Sequence, residues 1–333
     1  MKISKMWLFT IAIIALSLTG CSSNPTVNEA VQDIMNDTRL QEKRDIVNAR
    51  VSYSVSDNYF NLEMSEPAGI AVANGKIAVT DSADNCIYIF SNSGEHIDTI
   101  GKTGNGQMQF LAPCQIVFSN NRYYILDSGN SRIQILDQDF SYLNEIKLTP
   151  IEDFSSDCKY QDFIVDQNGD IYITSYALTP KYTKIFKVTP NGTVHEIGDN
   201  LIGYIGIMDN TIYFANYKTL YRAQENFQEQ TYVLTYENYL EKIEDDSMEK
   251  AGELPFGYNP SDFTSDDNGI FIYSERFCTL DYFDNEVNYQ ETLYQFEDNV
   301  NIKYLAYDQE TKCIFASAPT EGKIYRIYSE SER

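Results

Sequence analysis

Acidic and polar residues stand at corresponding points along this sequence, each directly after a short apolar run. Carboxylate and amide oxygens are the ligands that calcium prefers in proteins, so a ring of such groups could hold a cation or a polar ligand. A structural interpretation competes with this one, because an Asp at the end of a strand often accepts hydrogen bonds from the following turn. The six positions are Asp81, Asp127, Ser175, Asn216, Glu275 and Ser317.

Two arginines, Arg132 and Arg276, follow the same apolar runs and could pair with an acidic ligand. The chain contains only two histidines, His96 and His195, and both are expected on the surface. The sequence has no recognisable Ser/His/Asp set, phosphate-binding loop or zinc-ligand spacing. These residues therefore favour a binding protein over an enzyme.

The elements that carry these residues recur six times along the chain. Each repeat begins with a short apolar strand, a tight turn and a second strand, and the first two repeats are in register, because Asp81 and Asp127 are 46 residues apart. Asn-Gly pairs fall at one point of three repeats and predict type I′ hairpins between the first and second strands. These pairs are Asn74–Gly75, Asn168–Gly169 and Asn268–Gly269.

Repeats of about 40–50 residues with about four strands are typical of propeller blades. The sequence thus predicts an all-β, six-bladed β-propeller with four-stranded antiparallel blades, over residues 49–333. The last repeat has only three clear strands, whereas residues 49–55 form a strand-like segment before the first repeat. We expect this N-terminal strand to complete the last blade and close the ring.

The fourth repeat departs from the others. Its third strand is expected at residues 220–222, and the step to the fifth repeat, from Ile205 to Phe263, is 58 residues long. Within residues 238–260 a partial helical stripe indicates either a cap over one mouth of the propeller or a solvated insertion. The stripe consists of Tyr239, Leu240, Ile243 and Met248.

The N-terminus has the pattern of an export signal. Lys2 and Lys5 precede an apolar run that is too short to span a membrane comfortably. The run ends in Leu-Thr-Gly-Cys, which resembles the bacterial lipobox and implies that Cys21 is the lipid-modified first residue of the mature chain. Residues 1–20 are then the signal peptide, residues 21–48 a tether and lead-in, and Ser22 favours the outer membrane.

The net charge and the cysteine spacing indicate which partners and metal sites are not expected. The chain carries 25 basic and 49 acidic residues, and two of the basic ones lie in the signal peptide. Such a surface repels phosphate backbones, which excludes nucleic acid as a partner. Five cysteines remain after Cys21, and their spacing matches no metal site, so at least one free thiol is expected in an oxidising envelope.

One segment carries a family resemblance. Residues 101–113, with their glycines, Gln-Phe and Pro, are followed by Asp127-Ser-Gly-Asn-Ser-Arg-Ile-Gln and resemble an NHL repeat. With the lipobox, the chain is similar to six-bladed propeller lipoproteins of the Bacteroidetes type. In NHL-like blades the equivalent of Asp127 hydrogen-bonds the turn backbone, and the equivalent of Arg132 more often braces the neighbouring blade. NHL-type relatives include a peptide-amidating lyase, which needs more histidines than this chain has, and similar six-bladed folds include calcium-dependent lactonases.

The sequence therefore predicts a lipid-anchored propeller of the cell envelope that acts as a non-catalytic binding or scaffold module for a protein or a glycan. It is expected to be monomeric and to need no cofactor. The alternative is a calcium-dependent hydrolase or lactonase with an acidic site in the central channel. The candidate ligand-binding residues are Asp81, Asp127, Arg132, Asn216, Glu275 and Arg276.

Overall fold

The structure is a computed structural model. It describes residues 53–56, 59–60, 62–148, 159–176, 184–199, 203–208, 211–223, 232–244, 247–254, 258–297 and 300–329. The expected signal peptide, Cys21 and the tether lie outside these residues. Among the residues that are described, no helix has the length and apolar composition needed to cross a membrane.

Within the described residues, twenty-four strands form six separate antiparallel sheets of four strands each. The chain begins with β1 (Tyr53–Ser56) and continues through the first three blades with β2 (Pro67–Ala73), β3 (Lys76–Asp81), β4 (Cys86–Ser91), β5 (His96–Ile100), β6 (Pro113–Ser119), β7 (Arg122–Asp127), β8 (Arg132–Asp137), β9 (Tyr142–Lys147), β10 (Lys159–Val165), β11 (Ile171–Tyr176), β12 (Lys184–Val188) and β13 (Val194–Asp199). The last three blades contain β14 (Gly203–Met208), β15 (Thr211–Ala223), β16 (Tyr232–Glu244), β17 (Ser247–Glu253), β18 (Pro260–Ser265), β19 (Gly269–Ser274), β20 (Thr279–Asp284), β21 (Tyr289–Gln295), β22 (Tyr304–Asp308), β23 (Cys313–Ala318) and β24 (Lys323–Ser329).

The sheets are arranged as a ring. The first strand of each blade contacts the first strands of the two neighbouring blades, and β22 of the sixth blade contacts β2 of the first. Apolar side chains fill the space between neighbouring blades, as where Ile77 and Phe90 of blade 1 pack with Phe315 of blade 6. The predicted six-bladed propeller with four-stranded antiparallel blades is confirmed.

The ring closes through the N-terminal strand. β1 pairs antiparallel with β24, and Tyr53 lies opposite Ser329. The sixth sheet therefore has the order β1-β24-β23-β22, with its outermost strand supplied from the other end of the chain. Tyr53 and Val55 also pack against the apolar cluster between blades 5 and 6. This arrangement agrees with the expected closure.

The turns at the three Asn-Gly pairs are not all of the predicted type I′. Asn74 and Gly75 both have positive φ, 53° and 71°, as a type I′ turn requires. Asn168–Gly169 has positive φ only at Gly169, and neither residue of Asn268–Gly269 is in that region. The type I′ prediction is therefore right for one of the three Asn-Gly pairs, because the other two turns are set by Asp166 and Asp266, whose side chains accept hydrogen bonds from the turn backbone.

The fourth blade contradicts two local predictions. Residues 220–222 continue its second strand, β15, and its third strand is β16. The expected helical stripe is wrong as well, because its residues lie in β16 and β17, where Ile243 pairs with Met248 across a hairpin. Two residues that pair across a short hairpin can be separated in sequence by about as many residues as neighbours on one face of a helix. The same apolar spacing is therefore compatible with either structure.

Candidate functional site

The strand directions define two faces of the ring. First strands begin, and second strands end, at one face, which we call the loop face. It carries the connections from second to third strands and from each blade to the next, including residues 82–85, 101–112 and 128–131. The opposite face, the turn face, carries the hairpin turns. Two residues of the predicted acidic ring lie at the loop face, since Asp81 and Asp127 are the last residues of β3 and β7.

Asp81 is completely buried and binds backbone amides with both carboxylate oxygens. Its Oδ2 accepts hydrogen bonds from the amides of Ser65 and Glu66, at 2.8 and 3.0 Å. Its Oδ1 accepts from the amides of Ala83 and Asp84, at 3.1 and 2.9 Å. The carboxylate thus joins the chain entering blade 1 to the turn that follows β3.

Asp127 holds the equivalent place in blade 2, also completely buried. Its Oδ1 accepts a hydrogen bond from the amide of Leu111 at 2.7 Å. Its Oδ2 accepts from Asn130 Nδ2 and Arg132 Nε, both at 2.8 Å, and from Gln134 Nε2 at 3.3 Å. Both oxygens are therefore engaged within the blade.

Arg132 uses its remaining guanidinium nitrogens on the loop between blades 1 and 2. Nη1 donates to the carbonyl of Asn105 at 2.9 Å and to the carboxylate of Glu145 at 2.7 Å. Nη2 donates to the carbonyls of Gly106 and Gln109, each at 2.8 Å. The side chain is 6 % exposed and holds this glycine-rich loop in place.

The other predicted site residues lie apart from these two. Asn216 is within β15, where it pairs with Gly203 and Tyr239. Glu275 is exposed and accepts a hydrogen bond from Asn259 Nδ2 at 2.7 Å. Arg276 follows it and is partly buried. Among the described side chains, no three His, Cys, Asp or Glu come close enough together to hold a metal ion.

A second polar layer, on the first strands, was not predicted from the sequence. Each of its residues directly precedes a large apolar residue near the start of the strand. A polar residue inside an apolar run is the sequence signal that indicates this layer. The layer consists of Gln115, Asp162, Tyr204, Asp262 and Tyr304, and Gly69 holds the equivalent position in blade 1.

Side chains of this layer cap backbone amides around the channel. The first strand of a blade has a ladder partner on one side only, so its free edge leaves amides that need other acceptors. Asp162 Oδ1 accepts from Phe163 at 2.8 Å and from Gln115 Nε2 at 3.1 Å. Its Oδ2 accepts from Ile205 of the next blade at 3.0 Å.

Blades 5 and 6 repeat this contact. Asp262 Oδ2 accepts a hydrogen bond from the amide of Leu305 at 2.6 Å. Burial raises the pKa of Asp162 to about 6 against the opposing effect of its hydrogen bonds. Burial, and then the charge of Asp162, raises the pKa of Asp262 well above its usual range.

Tyr304 spans the mouth of the channel at the loop face. Its hydroxyl donates to the carbonyl of Gln161 at 2.5 Å, so that blade 6 is joined to blade 3 on the opposite side of the ring. The side chain is completely buried, and Lys303 Nζ lies 5.4 Å from its ring centroid. The first strands line an open cavity of about 180 Å³. Pockets for small ligands usually measure about 300–1,000 Å³.

Solved structures with the same fold include several enzymes. A gluconolactonase from Xanthomonas campestris is 13% identical, with 85% of this chain and 92% of that chain covered and a TM-score of 0.59. A calcium-binding regucalcin from Agrobacterium tumefaciens is 12% identical, with 84% and 95% covered and a TM-score of 0.59. A luciferin-regenerating enzyme is 10% identical, with 84% and 96% covered and a TM-score of 0.61. At these identities the similarity is one of fold.

Sequence comparison gives a more direct relationship. No curated protein matches the chain. A family model described as 6-bladed beta-propeller matches residues 60–324. Because that match spans most of the sequence and all six sheets of the ring, the chain belongs to this family of six-bladed β-propellers.

Proposed function

We propose that the protein is a non-catalytic binding module that recognises a protein or a glycan with its loop face while a lipid at Cys21 anchors it to the outer membrane. The observation that carries this proposal is the contact between Tyr304 and Gln161 across the channel mouth. The Tyr304 side chain there crosses the channel between two opposite blades and narrows the access from the loop face. Recognition then depends on the surface of the loops, which is where rigid scaffolds usually place binding residues.

A calcium-dependent hydrolase, the alternative, fits the residues less well. The carboxylates of Asp81 and Asp127 face backbone and side-chain N–H donors on both oxygens. Asp162 and Asp262 are turned toward amides as well, and their raised pKa opposes the ionised form that a metal ligand must adopt. These residues therefore do not fit a calcium site.

The fourth blade adds surface to the loop face. β15 and β16 have thirteen residues each, whereas β3 and β7 have six. Their ladder runs without interruption to the pair of Ala223 with Tyr232. Because β15 runs toward the loop face, the long hairpin extends the blade on that side and offers it additional contact area.

The position of the N-terminal strand supports the orientation. β24 is a third strand and runs from the loop face to the turn face, so the pair of Tyr53 with Ser329 lies at the turn face. The first described residue, Tyr53, therefore lies at the turn face. A lipid at Cys21, which precedes Tyr53 in the chain, would be joined to the propeller at this face and not at the loop face.

Site-specific photo-crosslinking tests the choice of face. Leu111, 43 % exposed, lies at the loop face, and Val194, 47 % exposed, begins β13 at the turn face, which makes them a matched pair for a photoreactive amino acid. In native membranes we expect crosslinks to an envelope protein or glycan from position 111 only. Crosslinks from 194 alone, or from neither position, would count against the proposed face.

Metabolic labelling tests the anchor. The wild-type chain should incorporate labelled palmitate and sediment with outer membranes, and Cys21→Ser should do neither. Cys114→Ser is the control, because this thiol lies within the propeller. Equal labelling of wild type and Cys21→Ser would overturn the anchoring part of the proposal.

A further inference from the structure

Two carboxyl groups lie inside the wall of the central channel with almost no contact with water. Asp162 on β10 is 1 % exposed and Asp262 on β18 is 3 % exposed. Their strands belong to blades 3 and 5, so blade 4 lies between them. Each carboxyl also reaches to the next blade, at the amides of Ile205 and Leu305. The two carboxyls therefore join blade 3 to blade 4 and blade 5 to blade 6 near the axis.

Charge compensation around the pair is weak. Neither carboxyl forms an ion pair among the described residues. The positive charge that acts on Asp162 is that of Lys303, a partly exposed residue directly before β22. The other titratable groups near them are neutral in their ordinary state. They are the thiol of Cys114 on β6 and the hydroxyls of Tyr204 on β14 and Tyr304 on β22.

Two buried, unpaired negative charges are costly. Removing a carboxylate from water without a counter-ion costs several kcal/mol in a real protein, and the charge of one carboxylate further disfavours the other. The amide hydrogen bonds offset part of this cost. A bound proton removes the rest, and because the two groups interact, the proton belongs to the pair.

We propose that Asp162 and Asp262 together form a proton-binding device that ties the stability of the blade ring to pH. The ring is held most firmly when the pair is protonated, and it loosens as both carboxyls ionise and repel each other across blade 4. The contacts of blade 3 with blade 4, and of blade 5 with blade 6, are the ones affected.

Proton linkage determines whether stability rises or falls with pH. Both carboxyls bind a proton more tightly in the folded chain than in the unfolded chain, where an Asp has a pKa of about 3.9. Their stabilising effect is fully present below that value and is lost as the pH rises through the folded pKa, which is about 6 for Asp162 and higher than usual for Asp262. The melting temperature should therefore fall as the pH rises from about 4 through about 6, where Asp162 ionises, and should continue to fall above that as Asp262 ionises.

Thermal unfolding of Asp262→Asn over this range tests the proposal. The variant lacks the group with the larger shift and the repulsion it causes, so we expect the fall in melting temperature to shrink to at most about half of the wild-type value. Asp98→Asn, on the exposed strand β5, removes the same charge from the surface and controls for general repulsion. Equal slopes in all three proteins would overturn the proposal.

Infrared difference spectra provide a second measurement that needs no variant to fold well. Titration of the wild-type chain from about pH 6 to about pH 8 should show loss of a protonated-carboxyl C=O band, since ordinary carboxyls, with pKa values of about 3.9 and 4.3, are almost fully ionised at the start of this range. Asp162→Asn and Asp262→Asn should each reduce the band. A wild-type spectrum without the band would also overturn the proposal.

Discussion

A single buried guanidinium, that of Arg132, determines the conformation of a whole loop. Its nitrogens bind three backbone carbonyls of the loop between blades 1 and 2 and two carboxylates, those of Asp127 and Glu145. A buried charge with all its donors engaged is effectively part of the scaffold. The resemblance to NHL repeats implied that Arg132 braces the neighbouring blade, and its contacts are with blade 2 and with the loop that joins blade 1 to blade 2.

Replacement of Arg132 by Ala should therefore reduce stability strongly. The carboxylate of Asp127 would stay buried without its cation, which typically costs about 3–5 kcal/mol. Lys184→Ala breaks the ion pair with Glu196, whose side chains are 22% and 44% exposed, and such pairs contribute under about 1 kcal/mol. Urea unfolding of both variants measures the difference. Similar losses for the two would show that Arg132 is not a brace.

Calcium should leave the melting temperature unchanged, because the carboxylate oxygens of Asp81 and Asp127 already accept hydrogen bonds from N–H groups. If a calcium site existed, free calcium at about 100 times the dissociation constant would raise the free energy of unfolding by about 2.7 kcal/mol. Thermal scans with added calcium and with a chelator make the measurement. A calcium-dependent rise that the chelator reverses would restore the hydrolase alternative.

The first strands approach one another so closely that one of them requires a residue without a side chain. A Cβ on Gly69 of β2 would lie 2.4 Å from the Cα of Gln115 and 2.6 Å from the amide nitrogen of Ile116. Backbone of the neighbouring blade cannot move aside as a flexible side chain can. The contact between β2 and β6 thus depends on this glycine.

Gly69→Ala should cost at least about 3 kcal/mol, the upper part of the range for overpacking, because the clash is with backbone. Gly106→Ala is the matched control, since its nearest neighbour is the flexible end of Gln109 at 3.2 Å. Denaturant unfolding compares the two variants. A stable Gly69→Ala protein would mean that the two strands can separate without loss.

The ring as a whole depends on both ends of the chain. β1 fills the outermost place in the sixth sheet, and Tyr53 and Val55 pack against the cluster that contains Ile327. Without this strand the edge of β24 would be left without its ladder partner. Closure of this kind makes the unfolding of the sixth blade and the loss of the N-terminal strand a single event.

Removal of residues 1–56 should lower the free energy of unfolding by about 2–4 kcal/mol, since full burial of one large apolar side chain contributes about 1.5–3 kcal/mol and these two are partly buried. Removal of residues 1–48 leaves β1 intact and should change nothing. Calorimetry of both shortened chains makes the comparison. Identical melting of the two would contradict closure by β1.

The sequence by itself determined the number and kind of blades. Strand, turn and spacing signals are local, and the six repeats leave few alternatives to a ring of four-stranded sheets. The same local signals failed in blade 4, where the spacing of Ile243 and Met248 suggested a helix although they pair across a hairpin. A pattern within a few residues cannot distinguish these two arrangements.

Only the tertiary structure decided which polar residues lie at the axis and what they bind. Asp162 meets Gln115 and Ile205 over separations of 47 and 43 residues, and Asp262 meets Leu305 over 43. Whether a carboxylate faces water, a metal or an amide depends on the neighbouring blade that the ring brings against it. That placement is long-range, so the acidic residues of the repeats could be found in the sequence while their hydrogen-bond partners and protonation could not.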